Sequence, residues 1–215
     1  THSKKNLFIG SVIRFSEKNA NIFGSGIIRK DEKIENTINC YFVRGPYTRK
    51  EILKNGGNCP EIYADPAMLL PEIFKYKSEK LIDILFVPHL KHSFFKNKLN
   101  HGMQYLSLKV YNIKQIENII KKIIQSKCVI TSSLHVFIVC VIYKIPVTVF
   151  KNDISIGGDD IKFYDFCEGV GIKNFNIINY DQKKFLISKL SNYAKIYDYE
   201  YDKSTILSQL KNLIK

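Results

Sequence analysis

The sequence predicts an α/β fold built from doubly wound, mainly parallel sheets. Apolar strand-like segments alternate with helical segments between residues 80 and 150, the order that right-handed crossover connections produce. The clearest unit lies at residues 128–150, where CVITS, SLHVFIVCVIYK and PVTVF predict a buried strand, a buried helix and a second strand with tight connections. The chain has 215 residues, of which 45% are hydrophobic, so it can form one large or two small domains.

Short strands and one helix are predicted before residue 80. Four apolar runs end at Gly, Ser or Pro, as strands do when they enter a loop: NLFIGS (6–11), NIFGSG (21–26), INCYFVRGP (38–46) and EIYADP (61–66). The segment YTRKEILKNGG predicts a helix with Thr48 as N-cap, Glu51 in a capping box and the glycine pair at its end. A domain junction near residues 72–80 gives two predicted domains, 1–76 and 77–215.

The remaining elements fill the second predicted domain. KLIDILFVPH (80–89) and MQYLSLKVY (103–111) are predicted strands, separated by a polar loop. Asn112 and Gln115 are expected to cap an amphipathic helix with isoleucines on one face and lysines on the other. Three C-terminal helices are predicted from IKFYDFCEGVG, DQKKFLISKLSNYAK and STILSQLKNLIK.

Charge and cysteine content limit the classes of binding partner and the cellular compartment that we expect. The formal net charge is +13, but only four of the 33 basic residues are arginine, the residue that favours bidentate phosphate and base contacts. Nucleic acid is therefore not expected, and an anionic membrane surface or an anionic substrate fits the charge at least as well. The five cysteines show no CxxC spacing, which favours a reducing, cytoplasmic compartment without disulfides. No uncharged apolar run reaches the roughly 18–20 residues of a membrane span.

Polar residues that follow predicted strands are the candidates for a functional site. Ligands of open parallel sheets bind beyond the carboxyl ends of the strands, where loops and helix N-termini meet. This rule selects residues from five strand ends: Gly24, Ser25, Gly26, Arg44, Asp65, His89, Ser132, Ser133 and His135. Arg49 follows Arg44 by five positions and adds a second cation.

His135 is the most informative of these residues because it interrupts an almost wholly apolar stretch. It is expected in the first turn of its helix, where free backbone N–H groups and the helix dipole favour an anion. A histidine there has either a structural partner, such as a backbone carbonyl, or a chemical role. Ser132 and Ser133 are either part of the same site or helix caps.

The other candidates also have two interpretations. Arg44 ends an apolar strand and is either a salt-bridge partner or an anion clamp. Gly24–Gly26 form either a nest of N–H donors or a tight turn, and Asp65 before Pro66 could simply start a turn. His89 and His92 have the separation of metal ligands, but no acidic or cysteine companion is near, so no metal site is predicted.

Taken in order, these segments resemble the polysaccharide pyruvyl transferase family. The matching segments are FGSGI, VRGPYTRKEILKNGG, YADPAMLLP, VPH and ITSSLHVFIVCVIYKIPV, and the resemblance covers roughly residues 6–172. It implies two Rossmann-like halves, similar to glycosyltransferases of the B class, with the site in the cleft between them. Arg44 and the Gly24–Gly26 turn are then expected to face the same cleft as His135. The half before residue 76 is shorter than in family members and is expected to be truncated.

The resemblance also implies a reaction. The enolpyruvyl carbons of phosphoenolpyruvate would be transferred as a ketal to a sugar, free or lipid-linked, during synthesis of a cell-surface exopolysaccharide, in the cytoplasm or at the inner face of the membrane. No cofactor is implied beyond phosphoenolpyruvate as donor. His135 is the expected general acid with His89 in reserve, Asp65 the expected proton acceptor, and Arg44 and Arg49 the expected anion-binding cations.

One departure from the family leaves two alternatives open. Many members carry arginine two positions before the motif histidine, where this chain has Ser133. Another donor is therefore possible, as in a nucleotide-sugar glycosyltransferase on the same scaffold whose Gly-Ser-Gly turn and His135 helix hold a diphosphate. An inactive module that binds anionic glycans is the alternative from a different class, and fold analogy does not separate the three.

Overall fold

The computed structural model describes residues 5–76, 78–154, 157–181 and 186–213. The chain forms two compact units, each built from more than one segment. The first unit comprises Thr1–Leu69, Gly157–Phe175 and Tyr199–Lys215, and the second comprises Leu70–Ile156 and Asn176–Asp198. The prediction of two domains with a single boundary, 1–76 and 77–215, did not include the segments after residue 156 that belong to the first unit. Each unit holds a parallel sheet, which confirms the predicted doubly wound α/β class.

The strands and α-helices are numbered in chain order. The strands are β1 (Asn6–Leu7), β2 (Asn21–Phe23), β3 (Asn39–Phe42), β4 (Ile82–Val87), β5 (Met103–Tyr105), β6 (Ser126–Thr131), β7 (Val147–Lys151) and β8 (Ile178–Asn179). The α-helices are α1 (Pro46–Lys54), α2 (Leu70–Ile73), α3 (Ile113–Ile124), α4 (Leu134–Ile142), α5 (Ile161–Gly169) and α6 (Lys203–Leu210). Short 3-10 helices cover Ile13–Phe15, Pro66–Leu69, Leu90–Lys98, Ile187–Tyr193 and Lys211–Leu213.

The first unit is a three-stranded parallel sheet in the order β1-β2-β3. Two predictions about it were wrong. The first helix begins at Pro46 with Gly45 as N-cap, instead of at Thr48, because proline lacks an N–H and its fixed φ suits the first helical position. The segment 61–66 forms only a parallel bridge from Tyr63 to Val43 instead of a full strand.

The second unit is a five-stranded parallel sheet in the order β5-β4-β6-β7-β8. The strand order reverses next to β4, since the chain first adds β5 on one side and then β6 and β7 on the other. Val87 at the end of β4 pairs with Thr131 at the end of β6, so the loops after these strands leave the sheet side by side. Ligand sites of doubly wound sheets lie at such a switch point.

Local signals account for the helices of the second unit. The Asn112 side chain accepts a hydrogen bond from the Gln115 N–H at 3.0 Å, and Gln115 accepts one from the Tyr111 N–H, as the predicted cap requires. The isoleucines near the end of α3 are buried, and α4 is buried along almost its entire length. Strand β6 ends at Thr131 and α4 begins at Leu134, as the sequence predicts.

Three further predictions about the second unit differ from the structure. Residues 90–98, expected to be a loop, form a 3-10 helix, and the predicted strand 103–111 is limited to Met103–Tyr105. The predicted helix from DQKKFLISKLSNYAK is a 3-10 helix over Ile187–Tyr193, and its residues 182–185 lie outside the described residues. Within the described ranges, no helix combines the length and the apolarity that a membrane span needs.

Candidate functional site

The switch point of the second unit brings His89 and Ser132 into contact. The His89 backbone N–H donates a 3.0 Å hydrogen bond to the Ser132 hydroxyl, across the ends of β4 and β6. The Thr131 hydroxyl donates to the Val87 carbonyl at 2.6 Å and accepts from the Ser133 N–H at 2.9 Å. These side-chain bonds fix the two loops to each other, so the backbone at the carboxyl ends of the strands is held in one conformation.

His92 belongs to the same network. Its Nε2 lies 2.8 Å from the Ile154 carbonyl, which can only accept, so Nε2 carries the proton. The Nδ1 atom is then free to accept from the Ser132 hydroxyl at 2.8 Å, and the ring stacks against Phe150. Sequence reasoning considered His92 only as a metal ligand. In the described part of the chain, no group of three or more His, Cys, Asp or Glu side chains is arranged to hold a metal ion.

His135 lies at the second position of α4 and is partly exposed, whereas the other residues of that helix are buried. Ser133 is the N-cap, but its hydroxyl makes no cap hydrogen bond. The first-turn amides of α4 therefore keep their capacity for an anion, which the helix dipole also favours. The Nε2 atom of His135 is itself buried, so the partial exposure of the residue does not include this atom.

In the first unit, Arg44 is a buried salt-bridge partner. Its side chain is fully buried, and Nε and NH2 each lie 3.0 Å from Asp165 Oδ2. NH1 donates to the Ser11 hydroxyl at 2.8 Å and NH2 donates to the Ile27 carbonyl at 2.6 Å. The structure therefore shows the salt-bridge interpretation of Arg44, because an anion clamp must reach solvent.

Asp165 organises the start of α1 as well. Its Oδ1 accepts the Thr48 N–H at 2.9 Å, and its Oδ2 accepts the Thr48 hydroxyl at 2.6 Å. The Thr48 hydroxyl also accepts the Ile27 N–H, at 3.1 Å. Asp165 was missed by sequence reasoning. The available signal was a single carboxylate among the apolar residues of IKFYDFC, a pattern that predicts a buried charge with a cationic partner.

The Gly24–Gly26 turn has a packing role in the first unit. A Cβ on Gly24 would lie 2.4 Å from the Pro66 side chain, and Gly24 also has a φ of +87°. A Cβ on Gly26 would lie 2.3 Å from the Arg44 guanidinium carbon. The Ser25 hydroxyl donates to the Gly10 carbonyl at 3.1 Å and is fully buried. This is the tight-turn interpretation.

Asp65 and Arg49 have different environments. Asp65 is fully buried, and its Oδ1 accepts the Ala67 N–H at 2.9 Å, so it starts the 3-10 helix at Pro66 as a turn residue does. Arg49 is partly exposed; its Nε donates to the Cys59 carbonyl at 3.1 Å and its NH1 pairs with Glu61 at 3.1 Å. Of the predicted cations in this unit, Arg49 is therefore the one that a ligand can contact.

The close approach of Gly45 to the Asp165 backbone can be tested by substitution. A Cβ at this position would lie 1.7 Å from the Asp165 backbone carbonyl oxygen, so Gly45→Ala is expected to destabilise the protein by about 3 kcal/mol. The control is Gly102→Ala, which meets no atom within 4 Å and is expected to cost about 1 kcal/mol through its positive φ alone. Urea unfolding of both variants gives the comparison, and equal losses would contradict the close approach at Gly45.

The parallel sheets define a doubly wound α/β protein, and the hydrogen-bond network at the ends of β4 and β6 gives it a polar site at the switch point of the second unit. The family model described as polysaccharide pyruvyl transferase matches residues 1–154. The chain belongs to this family, which confirms the resemblance and indicates a transferase with a saccharide acceptor. It is also similar to "Uncharacterized protein L143" of Acanthamoeba polyphaga mimivirus, with 26% identity over 204 residues, 89% of this chain and 67% of that protein. No solved structure matches the chain significantly.

Proposed function

We propose that the protein transfers the pyruvyl group of phosphoenolpyruvate to a sugar of a cell-surface polysaccharide, forming a ketal. The observation that carries this proposal is the family match together with the partly exposed His135 at the first turn of α4. We place the reaction in the cytoplasm or at the inner face of a membrane, where the net charge of +13 favours an anionic surface and a lipid-linked acceptor.

The reaction needs one proton donor and two acceptor hydroxyls. Protonation of the donor's methylene carbon gives a methyl group and oxocarbenium character at C2, which the first sugar hydroxyl attacks. The C–O bond to phosphate breaks, and the second hydroxyl closes the ketal. One hydroxyl proton replaces the proton given to the methyl group, and the other leaves with phosphate, so the acid is regenerated.

We assign the proton donor role to His135, since imidazole exchanges protons near neutral pH. The first-turn amides of α4 would bind a donor oxyanion. In many family members the arginine two positions before the motif histidine would share this role, which Ser133 in this chain does not fill. His89 is the second candidate acid because it lies at the end of the neighbouring strand and is partly exposed.

Calorimetric titration tests the donor class. We expect heat of binding with phosphoenolpyruvate and none with nucleotide sugars such as UDP-glucose. Incubation with phosphoenolpyruvate and candidate saccharides is then expected to release inorganic phosphate and to give a product whose carbon NMR spectrum shows a ketal carbon. Inorganic phosphate alone is the control for unspecific anion binding.

Two results would contradict the proposal. Selective heat with a nucleotide sugar, followed by release of a nucleoside diphosphate, would show a glycosyltransferase on the same scaffold. Binding of an anionic glycan without heat for either donor class would show a glycan-binding module. Each of these results supports one function directly, so the three functions are distinguished by the ligand that binds and by the product that is released.

A further inference from the structure

Two cysteines of the first unit lie in contact. The Sγ atoms of Cys40 and Cys59 are 3.1 Å apart, although the residues are 19 positions apart in the chain. A disulfide bond is about 2.05 Å long, so an approach of about 1 Å would join them. Cys128, Cys140 and Cys167 are free thiols as well, and the described contacts place no pair of them at this distance.

Backbone pairing holds the two cysteines together. Cys40 lies in β3, and the chain returns beside β3 after α1, where the Val43 N–H donates to the Ile62 carbonyl and the Ala64 N–H donates to the Val43 carbonyl. Both thiols join the apolar core cluster of the first unit. Their contact is thus set by strand geometry in the core, where side chains have few alternative positions.

We propose that Cys40 and Cys59 form a reversible disulfide when the protein meets a two-electron thiol oxidant such as oxidised glutathione. Cys40, the more exposed of the two, attacks one sulfur of the oxidant and releases one reduced glutathione. The Cys59 sulfur then attacks the Cys40 sulfur and releases the second. Two thiols are oxidised and one disulfide of the reagent is reduced, so electrons and protons balance.

We expect the cross-link to form slowly. The hydrogen bond to Cys59, and then burial, hold the pKa of the Cys40 thiol well above its ordinary value, so little thiolate is present at neutral pH to begin the exchange. The disulfide closes the loop of residues 40–59, which contains α1. The Cys59 carbonyl also accepts the hydrogen bond from Arg49 Nε, so oxidation fixes the segment that orients Arg49.

Peptide mapping of the whole chain tests this proposal. Neither the proposal nor the test depends on pyruvyl transfer. The protein is equilibrated in oxidising glutathione buffer, quenched with acid and digested with trypsin without reductant. We expect one linked pair, peptide 34–44 joined to peptide 55–75, with the loss of two of the five thiols. The thermal midpoint should rise by roughly 5–10 °C and return after dithiothreitol treatment.

Single substitutions and a matched control complete the test. Cys40→Ser and Cys59→Ser are expected to abolish both the linked peptide and the midpoint shift, whereas Cys128→Ser keeps both. The linked peptide in the unsubstituted protein remains decisive if a serine variant fails to fold. The proposal is overturned if the oxidised protein carries glutathione on Cys40 alone, links other cysteines, or keeps all five thiols.

Discussion

His135→Gln is expected to leave the protein folded and to reduce pyruvyl transfer by roughly 10²–10⁴-fold, the usual effect of removing a positioned proton donor. His135→Leu should give a loss of the same size. The reason is the position of His135 in the first turn of α4, where it is partly exposed while the rest of the helix is buried. The measurement is the rate of phosphate release with phosphoenolpyruvate and the acceptor saccharide.

A structural role for His135 predicts the opposite pattern. Loss of a core hydrogen bond would cost about 1–3 kcal/mol of stability, with activity falling only as the folded fraction falls. Circular dichroism and urea unfolding therefore accompany the kinetics. His101→Gln is the matched control, because His101 is exposed and lies in a turn. A folded His135→Leu protein with near-full turnover would rule out His135 as the acid.

The elements that the sequence predicted well are those whose signals are local. A run of isoleucines at helical spacing, an asparagine cap and a strand followed directly by a buried helix all report on residues close in the chain. Thus α3 and α4 begin within a residue or two of their expected positions. The position of His135 beyond the carboxyl end of a strand was also predicted, because a buried helix directly follows that strand in the sequence, whereas the strand order and therefore the switch point were not predicted.

The features that the sequence did not predict depend on distant contacts. Asp165 meets Arg44 across 121 positions, and no periodicity relates the two residues. The same holds for the third segment of the first unit, residues 199–215, which returns after the second unit is complete. The network around His92 was also missed, because a histidine in a polar segment gives no signal of its burial against Phe150.

Arg44 shows how two interpretations of one residue differ in their consequences. An apolar strand ending in arginine before Gly-Pro fits both an anion clamp and a salt bridge, since each needs the long side chain buried along its stem. The deciding observation is that the buried Asp165 carboxylate lies within hydrogen-bond distance of both Nε and NH2 of Arg44. The interpretation can be tested by stability, because a clamp contributes to binding whereas a buried ion pair contributes to folding.

Arg44→Met is expected to destabilise the protein by about 3–5 kcal/mol, because it leaves the Asp165 carboxylate buried without its counter-charge. Urea unfolding gives the loss, and hydrogen exchange of peptides from the first unit shows where protection falls. The matched control is Arg49→Met five positions later. Arg49 is partly exposed and pairs with the exposed Glu61, so its loss is expected to cost no more than about 1 kcal/mol.

A double variant separates the uncompensated charge from lost packing. Arg44→Met with Asp165→Asn removes both charges of this pair, and the amide oxygen can still accept the Thr48 N–H, so it should be more stable than Arg44→Met alone by at least about 1 kcal/mol. If Arg44 instead bound the donor, Arg44→Met would unfold at the urea concentration of the unsubstituted protein and lose only its heat of binding with phosphoenolpyruvate. That result would return Arg44 to the list of donor-binding cations and leave Asp165 without a structural explanation.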